Sequence, residues 1–366
     1  MSAPDAGDRL YRAWLAMSEH LTQRGRERLM DRFGSVQAIY EGFGSSLVGA
    51  IGEKAYDELR ALRDKGLDKL ELALARSGIN ICVKGDGIYP ELLSRIADAP
   101  DALFYLGNMA GDDERAIAIV GSRRETRYGR EQAFRIAREL AAQGVAVVSG
   151  LAYGIDTAAH KGALEGGGRT VAVLGSGLLR LYPPENAELA QKIIESGGAV
   201  VSEFPPRAEP LAFRFPYRNR VVSGLSHGVL LVEAREKSGT LITVGHALEQ
   251  GREVFALPGP VDQPASAVPN RLLREGARLV TCAADLMEDM GWAQRSETAQ
   301  TKLPIPDLTG DERRLYDALC AEPLGFAQLQ EALGLPISTL NVAITQLELT
   351  GLIEALPGRM FRRTGQ

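Results

Sequence analysis

The chain has 366 residues, of which 45% are hydrophobic and 24% charged, a composition typical of a globular protein with two or three domains. Its net charge of −5 at pH 7 gives no overall attraction to nucleic acid, so binding to a polyanion would require a local basic patch. The sequence shows no signal peptide and no apolar run near the ~20 residues of a membrane span, which predicts a cytoplasmic protein without a membrane partner.

Neither the cysteines nor the histidines show the spacing of a metal site. The three cysteines and four histidines are scattered along the chain: Cys82, Cys282, Cys320, His20, His160, His227 and His246. Isolated cysteines of this kind are typical of reduced, buried thiols in an intracellular protein. We therefore expect no metal and no other cofactor.

Residues 8–75 have the pattern of a small helical module. Leu10, Trp14 and Met17 follow a helical stripe, and glycines at short intervals divide the region into short helices. The region resembles a sterile-alpha-motif or helix-hairpin-helix module. A plain helical packing domain would show the same pattern, and that alternative stays open.

Residues 76–292 change to alternating strands and helices. Six short apolar runs predict strands: Ala116–Val120, Val145–Ser149, Thr170–Leu174, Ala199–Val201, Gly228–Glu233 and Glu253–Leu257. Helical stretches such as Tyr128–Gln143 and Asn186–Ser196 separate several of them. Apolar strands separated by helices predict an α/β fold with a parallel sheet covered on both faces. Such sheets bind ligands at the carboxyl ends of their strands.

The last part of the chain predicts a linker and a separate domain. Residues 293–307 are polar, contain two prolines and lack apolar periodicity, which indicates a linker. Residues 308–366 predict a winged helix. A capping box at Thr309–Glu312 starts its first helix, the second spans Phe326–Leu333, and the third begins near Ser338. The two strands of the wing are Leu352–Ala355 and Met360–Arg363.

The first of four basic turns is Gly121-Ser122-Arg123, at the end of a predicted strand. Gly121 lets the backbone approach a ligand, and amides at the start of the following helix, near Tyr128, favour an anion. Residues 118–130 contain four arginines and one glutamate. The turn predicts an anion site, although a solvated basic helix start would have the same composition.

The second turn begins at Ser149-Gly150 and leads into a helix that carries Asp156, His160 and Lys161. It has the shape of a phosphate-binding turn but not the P-loop sequence, and the chain has no G-x-G-x-x-G fingerprint. Asp156 and His160 lie four residues apart, a spacing that acid–base catalysis could use. A helix cap and a packed histidine explain the same two residues more simply.

The third turn is Phe215-Pro216-Tyr217-Arg218-Asn219-Arg220, directly before the apolar run Val221–Ala234, which we expect to be a buried strand. Aromatic rings beside guanidinium groups provide stacking planes and charge for phosphates, as single-stranded nucleic acid requires. The alternative is a buried arginine network that ties loops together. Arg220 is the arginine that fits this alternative best.

The fourth turn is Lys237-Ser238-Gly239-Thr240, after a predicted strand and just before a helix. Backbone amides and hydroxyls at a helix start, next to a lysine, can hold a phosphate, although a simple capping turn looks the same. Four basic turns at one sheet edge predict a polyanion site more strongly than any one of them.

The predicted winged helix has the wrong charge for reading duplex DNA. Residues 309–366 contain seven acids and five arginines, and the segment predicted to be the recognition helix, Ser338–Thr350, has no lysine or arginine. Duplex readers neutralise phosphates and usually carry a basic recognition helix. We therefore expect this domain to contact protein rather than an operator.

Taken together, these motifs resemble the DNA-processing protein A (DprA/Smf) family. The resemblance covers most of the chain and runs through Tyr89–Leu93, Pro100–Asn108, Gly121–Arg123, Ser149–Lys161, Phe215–Arg220, Lys237–Leu241, Ala247–Gly251 and Pro258–Gly259. It implies an extended Rossmann-like domain that binds and protects incoming single-stranded DNA during natural transformation and helps load the RecA recombinase. It also implies a homodimer, no enzymatic activity, and terminal modules that vary across the family.

The resemblance also assigns roles to residues of this chain. Arg123 and Lys161 would contact phosphate, and Phe215 would stack on a base. The polar side chains of residues 218–220 would contact the strand or support the pocket, and residues 237–239 would hold backbone phosphates. The candidate nucleic-acid-binding residues are Gly121, Ser122, Arg123, Gly150, Lys161, Phe215, Arg218, Asn219, Arg220, Lys237, Ser238 and Gly239.

Two other functions fit parts of the pattern. The Ser238-Gly239-Thr240 turn and the predicted sheet are similar to those of Rossmann-like nucleoside-monophosphate phosphoribohydrolases, in which Glu233 or Asp156 would act as general acid or base beside a nucleotide. A transcription regulator with a ligand-sensing domain would explain the winged helix but not its charge.

Overall fold

The computed structural model describes residues 6–109, 115–236, 238–292, 308, 310–319, 323–350, 352–356 and 358–363. Internal contacts divide the chain into two units, Met1–Trp292 and Ala293–Gln366. Four features of the sequence analysis lie outside the described residues: Lys237, the linker 293–307, Thr309 of the capping box, and Cys320.

The helices and strands of the first unit alternate after an all-helical start. Its helices are α1 (Ala6–Ala16), α2 (Gln23–Phe33), α3 (Val36–Glu41), α4 (Val48–Ile51), α5 (Glu53–Lys65), α6 (Leu67–Arg76), α7 (Glu91–Ser94), α8 (Arg127–Ala142), α9 (Ile155–Glu165), α10 (Ala187–Glu195), α11 (Arg214–Gly224), α12 (Thr240–Glu249), α13 (Ala267–Arg274) and α14 (Ala283–Asp289). Its strands are β1 (Asn80–Val83), β2 (Ala102–Gly107), β3 (Ala116–Val120), β4 (Ala146–Ser149), β5 (Thr170–Val173), β6 (Ala199–Ser202), β7 (Gly228–Leu231), β8 (Glu253–Ala256) and β9 (Arg278–Leu279).

The nine strands form one sheet in the order β1-β2-β6-β5-β4-β3-β7-β8-β9. The seven neighbouring strands β6, β5, β4, β3, β7, β8 and β9 pair in parallel, which confirms the parallel sheet core. The chain moves outward from β3 through β4, β5 and β6, and then crosses back to β7 on the other side of β3. This reversal between β3 and β7 is a topological switch point, the place where open α/β sheets bind ligands.

Two further strands, β1 and β2, extend the sheet at one edge. Strand β2 pairs antiparallel with β6, and β1 pairs antiparallel with β2. Neither appears among the six predicted strands. Both lie beside the amino-terminal helices, whose buried Trp14 and Leu29 share a hydrophobic core with Phe104 of β2 and Val200 of β6. The boundary between residues 8–75 and 76–292 stays a prediction.

Helices cover both faces of the sheet, as expected for strands that are apolar throughout. On one face, Val222 of α11 and Val244 of α12 pack against β3 and β7. On the other face, Ile136 of α8, Ala159 of α9 and Leu286 of α14 form a second core with the sheet. The two cores hold the strand ends, and so the turns that follow them, in fixed positions.

The second unit has the elements of a winged helix. Its helices are α15 (Gly310–Ala318), α16 (Phe326–Leu333) and α17 (Ile337–Leu349), and its strands are β10 (Leu324–Gly325), β11 (Ile353–Leu356) and β12 (Met360–Arg363). The predicted two-stranded wing is confirmed, and β10 adds a third strand to it by pairing with β12. Leu315, Leu329 and Leu347 contribute to a core of its own.

The expectations from composition concern membrane spans and free cysteines. Among the helices of the described ranges, none is long and apolar enough to cross a membrane. Cys82 and Cys282 are free thiols, and burial, together with the charge of Asp86, raises the pKa of Cys82 to about 12. That thiol is therefore protonated and unreactive at neutral pH.

Candidate nucleic-acid site

A cavity of about 780 Å³ opens at the switch point, where β3, β4 and β7 end. Its lining brings together nine of the twelve candidate residues: Gly121, Ser122, Arg123, Gly150, Phe215, Arg218, Asn219, Ser238 and Gly239. Four arginines and a single aspartate, Asp156, line it, so the cavity is basic although the whole chain is acidic. A polyanion would therefore be attracted to this cavity although the chain as a whole carries a net negative charge.

The Gly121-Ser122-Arg123 turn is fixed by its contacts with the start of α9. The Ser122 carbonyl accepts a hydrogen bond from the Ile155 amide at 3.2 Å. A Cβ at Gly121 would lie 2.6 Å from the Ile155 side chain, so only glycine allows this approach. The turn therefore presents the exposed Arg123 from a rigid base.

Arg123 and Phe215 are in contact with each other. The Arg123 guanidinium carbon lies 5.2 Å from the centroid of the Phe215 ring, within the range of a cation–π interaction. The ring also packs against the Gly175 backbone and lies 5.6 Å from the Tyr182 ring. A base can stack on the face that Arg123 covers only when the guanidinium leaves it.

The sequence predicts that Phe215–Arg220 is a turn leading directly into a strand, and this prediction is wrong. The segment lies in α11, which continues through Val221 to Gly224, and the strand starts only at Gly228. A buried helix and a buried strand both produce continuous apolar runs. The apolar run Val221–Ala234 therefore does not reveal that α11 ends within it and that β7 begins within it.

Arg218 lines the cavity but is 3% exposed and bonded to the protein backbone. Its Nη1 donates to the carbonyl of Gly150 at 2.8 Å and to that of Val173. Burial lowers the pKa of Arg218 to about 10, which still leaves the side chain charged at neutral pH. Arg218 therefore ties the ends of β4 and β5 to α11.

Arg220 lies away from the cavity lining and is 2% exposed. Its Nη2 donates to Glu203 at 2.6 Å, and its Nε lies 2.9 Å from Asp98. The guanidinium also lies 4.1 Å from the Tyr217 ring. These contacts match the buried arginine network that the sequence left open as the alternative for this segment.

The remaining candidates take different positions. Lys161 is exposed on α9 and lines a neighbouring groove that shares Arg123 with the cavity. Ser238 and Thr240 at the start of α12 bond to each other through their hydroxyls, 2.8 Å apart. The Thr240 hydroxyl also donates to the Gly121 carbonyl at 3.2 Å, which joins the first and fourth turns.

Asp156 and His160 belong to the supporting structure of the second turn. The Asp156 carboxylate accepts hydrogen bonds from the amides of Gly150 and Ala152 at 3.1 and 3.3 Å. Burial raises the pKa of Asp156, and the nearby Arg218 charge acts in the opposite direction. His160 is fully buried and its Nδ1 lies 2.7 Å from the Thr170 hydroxyl. It is the packed histidine of the simpler interpretation.

Glu233 supports the start of α8 and lies outside the cavity lining. Its carboxylate accepts hydrogen bonds from the amide and the hydroxyl of Thr126, and the Thr126 hydroxyl accepts one from the Gly129 amide. The amide and the hydroxyl of Thr126, which could otherwise bind an external anion, therefore already donate to Glu233. A Cβ at Gly129 would lie 2.2 Å from the Glu233 carboxyl carbon, so the packing is tight.

Several residues of the cavity lining are absent from the twelve candidates, among them Arg235 and Tyr182. Arg235 follows the end of β7 closely and is exposed, so its position at a strand end was a usable signal. Tyr182 is brought in by the loop after β5 and carried no such signal. Within the described residues, no cluster of histidine, cysteine, aspartate or glutamate could hold a metal ion.

The fold and the site define a Rossmann-like α/β protein with an arginine-lined cavity at its switch point. The sequence profile of the family described as DNA recombination-mediator protein A matches residues 80–291, and that of the DprA winged helix domain matches residues 299–359. The chain belongs to the DNA recombination-mediator protein A family.

Individual relatives agree with this assignment. Protein Smf of Escherichia coli strain K12 is 41% identical over 289 residues, which cover 75% of each chain. The X-ray structure of DNA processing protein A from Streptococcus pneumoniae has a TM-score of 0.64 and 34% identity and covers 76% of this chain and 97% of that one. The structure of DNA processing protein A from Helicobacter pylori has a TM-score of 0.52 and 28% identity and covers 58% of this chain and 95% of that one.

Proposed function

We propose that this protein binds single-stranded DNA in the switch-point cavity, protects the strand and helps load the RecA recombinase during natural transformation. The observation that carries the proposal is the joint lining of this cavity by an exposed arginine, Arg123, and an aromatic ring, Phe215. Charge for phosphate and a plane for a base are the two requirements of single-strand binding. The Helicobacter pylori relative is described for its unique single-stranded DNA binding mode.

The proposal includes a homodimer that acts in the cytoplasm and performs no catalysis. The family assignment supports these points. The candidate acid–base residues support the same view, because Glu233 caps α8 and the Asp156 carboxylate holds two backbone amides.

A binding experiment tests the main proposal. Fluorescence polarisation of a labelled single strand and of a matched duplex, over a series of salt concentrations, should show tighter binding of the single strand. The logarithm of the association constant should fall with the logarithm of the salt concentration, because phosphate contacts release counterions. Equal or tighter binding of the duplex would refute the proposal.

Arg123→Ala should weaken single-strand binding roughly tenfold to a hundredfold, the range of a charge-assisted contact to phosphate. Arg138→Ala is the matched control, because Arg138 is also an exposed arginine in the same unit but lies outside the cavity lining. An unchanged affinity for Arg123→Ala would remove this residue from the site.

RecA loading is tested separately, by measuring RecA filament formation on a strand already coated with single-strand-binding protein.

The nucleotide-hydrolase alternative keeps one observation in its favour, since Asp156 lines the cavity and burial raises its pKa. Incubation of the protein with nucleoside monophosphates, followed by chromatography for released base, decides between the two functions. We expect no turnover. Base release that is lost in Asp156→Asn would establish the enzyme instead.

A further inference from the structure

A second groove lies beside the cavity, between α8 and α9. It has a volume of about 660 Å³, and its wall includes Arg130 and Phe134 of α8 and Lys161 of α9. Arg123 lines both the groove and the cavity. The two depressions therefore meet at the exposed arginine to which we assign a phosphate contact.

A small third cavity, which we call the neck, shares lining residues with both depressions: Arg123 with each of them, Phe215 with the first cavity and Tyr153 with the groove. Arg123, Tyr153, Tyr182 and Phe215 are among its lining residues, and its volume of about 10 Å³ admits little more than one water molecule. A nucleotide cannot pass through such a neck, so a strand that runs from the cavity to the groove must cross above it. The side chains of Tyr153 and Tyr182 are both 39% exposed at this crossing.

Tyr153 is held in place at the crossing. Its hydroxyl donates a hydrogen bond to the Glu185 carboxylate, which fixes the end of the ring. A ring anchored by its hydroxyl loses little further conformational freedom when a base stacks on it. Stacking on an aromatic ring also accepts any base, which suits binding without sequence preference.

The charges of the groove decide how a strand would be held there. Arg123, Arg130 and Lys161 face three carboxylates of the same lining, those of Glu125, Glu131 and Glu185. Glu131 is paired with Arg127 at 2.7 Å, and Glu185 accepts the Tyr153 hydroxyl. Because the lining has no net charge, stacking and individual phosphate contacts would dominate over long-range attraction.

The geometry points to an extended binding site in which the single strand that fills the cavity continues over Arg123 and Tyr153 into the α8–α9 groove. Tyr153 serves as a stacking platform at the crossing, and Arg130 contacts a phosphate beyond it. The inference rests on the proposed function, because a strand must first occupy the cavity. It adds Tyr153 and Arg130 to the binding residues.

The test is a calorimetric titration with oligothymidylates that increase by one nucleotide at a time. The wild-type affinity should rise in a distinct step once the strand is long enough to cross the neck. Tyr153→Ala should remove that step and weaken the binding of longer strands roughly tenfold, while short strands bind as before. Tyr153→Phe keeps the ring and should keep most of the step. Arg130→Ala should reduce it, and Arg138→Ala, on the same helix but outside the groove, should not.

Each outcome separates the inference from the proposed function. Failure of the wild-type protein to bind oligothymidylates of every length would refute the proposed function. Binding by the wild type without a length step would overturn only the extended site. A gain with length that survives Tyr153→Ala would mean that longer strands reach a second protein molecule, and it would also overturn the inference. Unchanged binding of short strands shows that each variant is folded.

Discussion

The arginines of the cavity fall into two groups with different tasks. Arg123 and Arg124 are exposed, and the Arg123 guanidinium lies over the Phe215 ring, whereas Arg218 is buried and donates to the carbonyls of Gly150 and Val173. A buried guanidinium bonded to backbone carbonyls contributes to stability, whereas an exposed one can reach a ligand. Arginine therefore has a structural role at one position of the site and is exposed to a ligand at two others.

Arg218→Ala should therefore lower the free energy of unfolding by about 3 kcal/mol, because two buried carbonyls lose their donor and Asp156 loses a nearby positive charge. Arg123→Ala should leave the free energy of unfolding within ~0.5 kcal/mol of the wild type, as is usual for exposed positions. Urea denaturation of both variants measures the difference. Equal stability losses would show that this division of the arginines is wrong.

His160 should make the protein sensitive to acid. Burial lowers the pKa of His160 to about 3, whereas the unfolded chain keeps a histidine pKa near 6.5. Below pH ~6.5 the unfolded chain binds a proton that the folded protein does not, so this contribution to stability is present above that pH and lost as the pH falls toward 3. The loss is about 1.4 kcal/mol per pH unit.

His160→Asn removes the titrating group and keeps a donor for the Thr170 hydroxyl, which itself donates to the Val147 carbonyl. The difference in unfolding free energy between wild type and variant should therefore shrink as the pH is lowered from 7 to 4.5. Denaturation curves at several pH values measure it. A constant difference across that range would contradict a buried, neutral His160.

Burial was the property of these residues that the sequence could not supply. The partners of Arg218 are backbone carbonyls 68 and 45 residues away, and the carboxylate bonded to Arg220 lies 17 residues away. A local charge count treats such arginines as free. The position of Arg220 directly before an apolar run favoured a buried role for it, but nothing in the hexapeptide Phe215–Arg220 marks Arg218 as buried.

At the level of secondary structure, the apolar strands could be predicted from the sequence, whereas the apolar half of helix α11 could not. The six predicted strands agree with β3 to β8 within a few residues, because each is a short apolar run between turn residues. Helix α11 was missed because its second half, Val221–Gly224, is as apolar as the strand that follows. Strands β1 and β2 were missed because antiparallel edge pairing follows from tertiary contacts with the amino-terminal helices.

The start of α8 depends on an element that is distant in sequence. Glu233, just after β7, bonds to the amide and hydroxyl of Thr126, the cap of α8. Glu233→Ala should lower the free energy of unfolding by about 2 kcal/mol, because it weakens a helix cap and leaves the partly buried Thr126 amide without its carboxylate partner.

Glu131→Ala is the control for Glu233→Ala, because it removes a carboxylate from an exposed i,i+4 pair with Arg127 and should cost less than ~0.5 kcal/mol. Thermal unfolding of both variants gives the comparison. If Glu233→Ala were as stable as the control, a structural role for Glu233 would be excluded and the acid–base interpretation would regain support.

For the whole molecule, charge is distributed so that the attraction for a polyanion concentrates in one place. The chain has a net charge of −5, yet four arginines and one aspartate line the switch-point cavity. The arginines of the wing already have partners: Arg362 bonds to Glu354, and Arg363 lies 4.3 Å from the Tyr316 ring. Helix α17 exposes Ile337 and Val342 rather than basic side chains, which fits protein contact better than phosphate contact.

A shortened chain that ends at Trp292 should therefore bind single-stranded DNA as tightly as the full chain and with the same salt dependence. Every described residue that lines the cavity belongs to the first unit, and each unit has a hydrophobic core of its own. The isolated winged helix should bind neither single strand nor duplex at physiological salt, because its acids outnumber its arginines. Polarisation titrations of the three proteins with both DNA forms measure these affinities. A smaller salt slope for the shortened chain would mean that the winged helix contacts phosphate, and the cavity would then be only part of the DNA-binding surface.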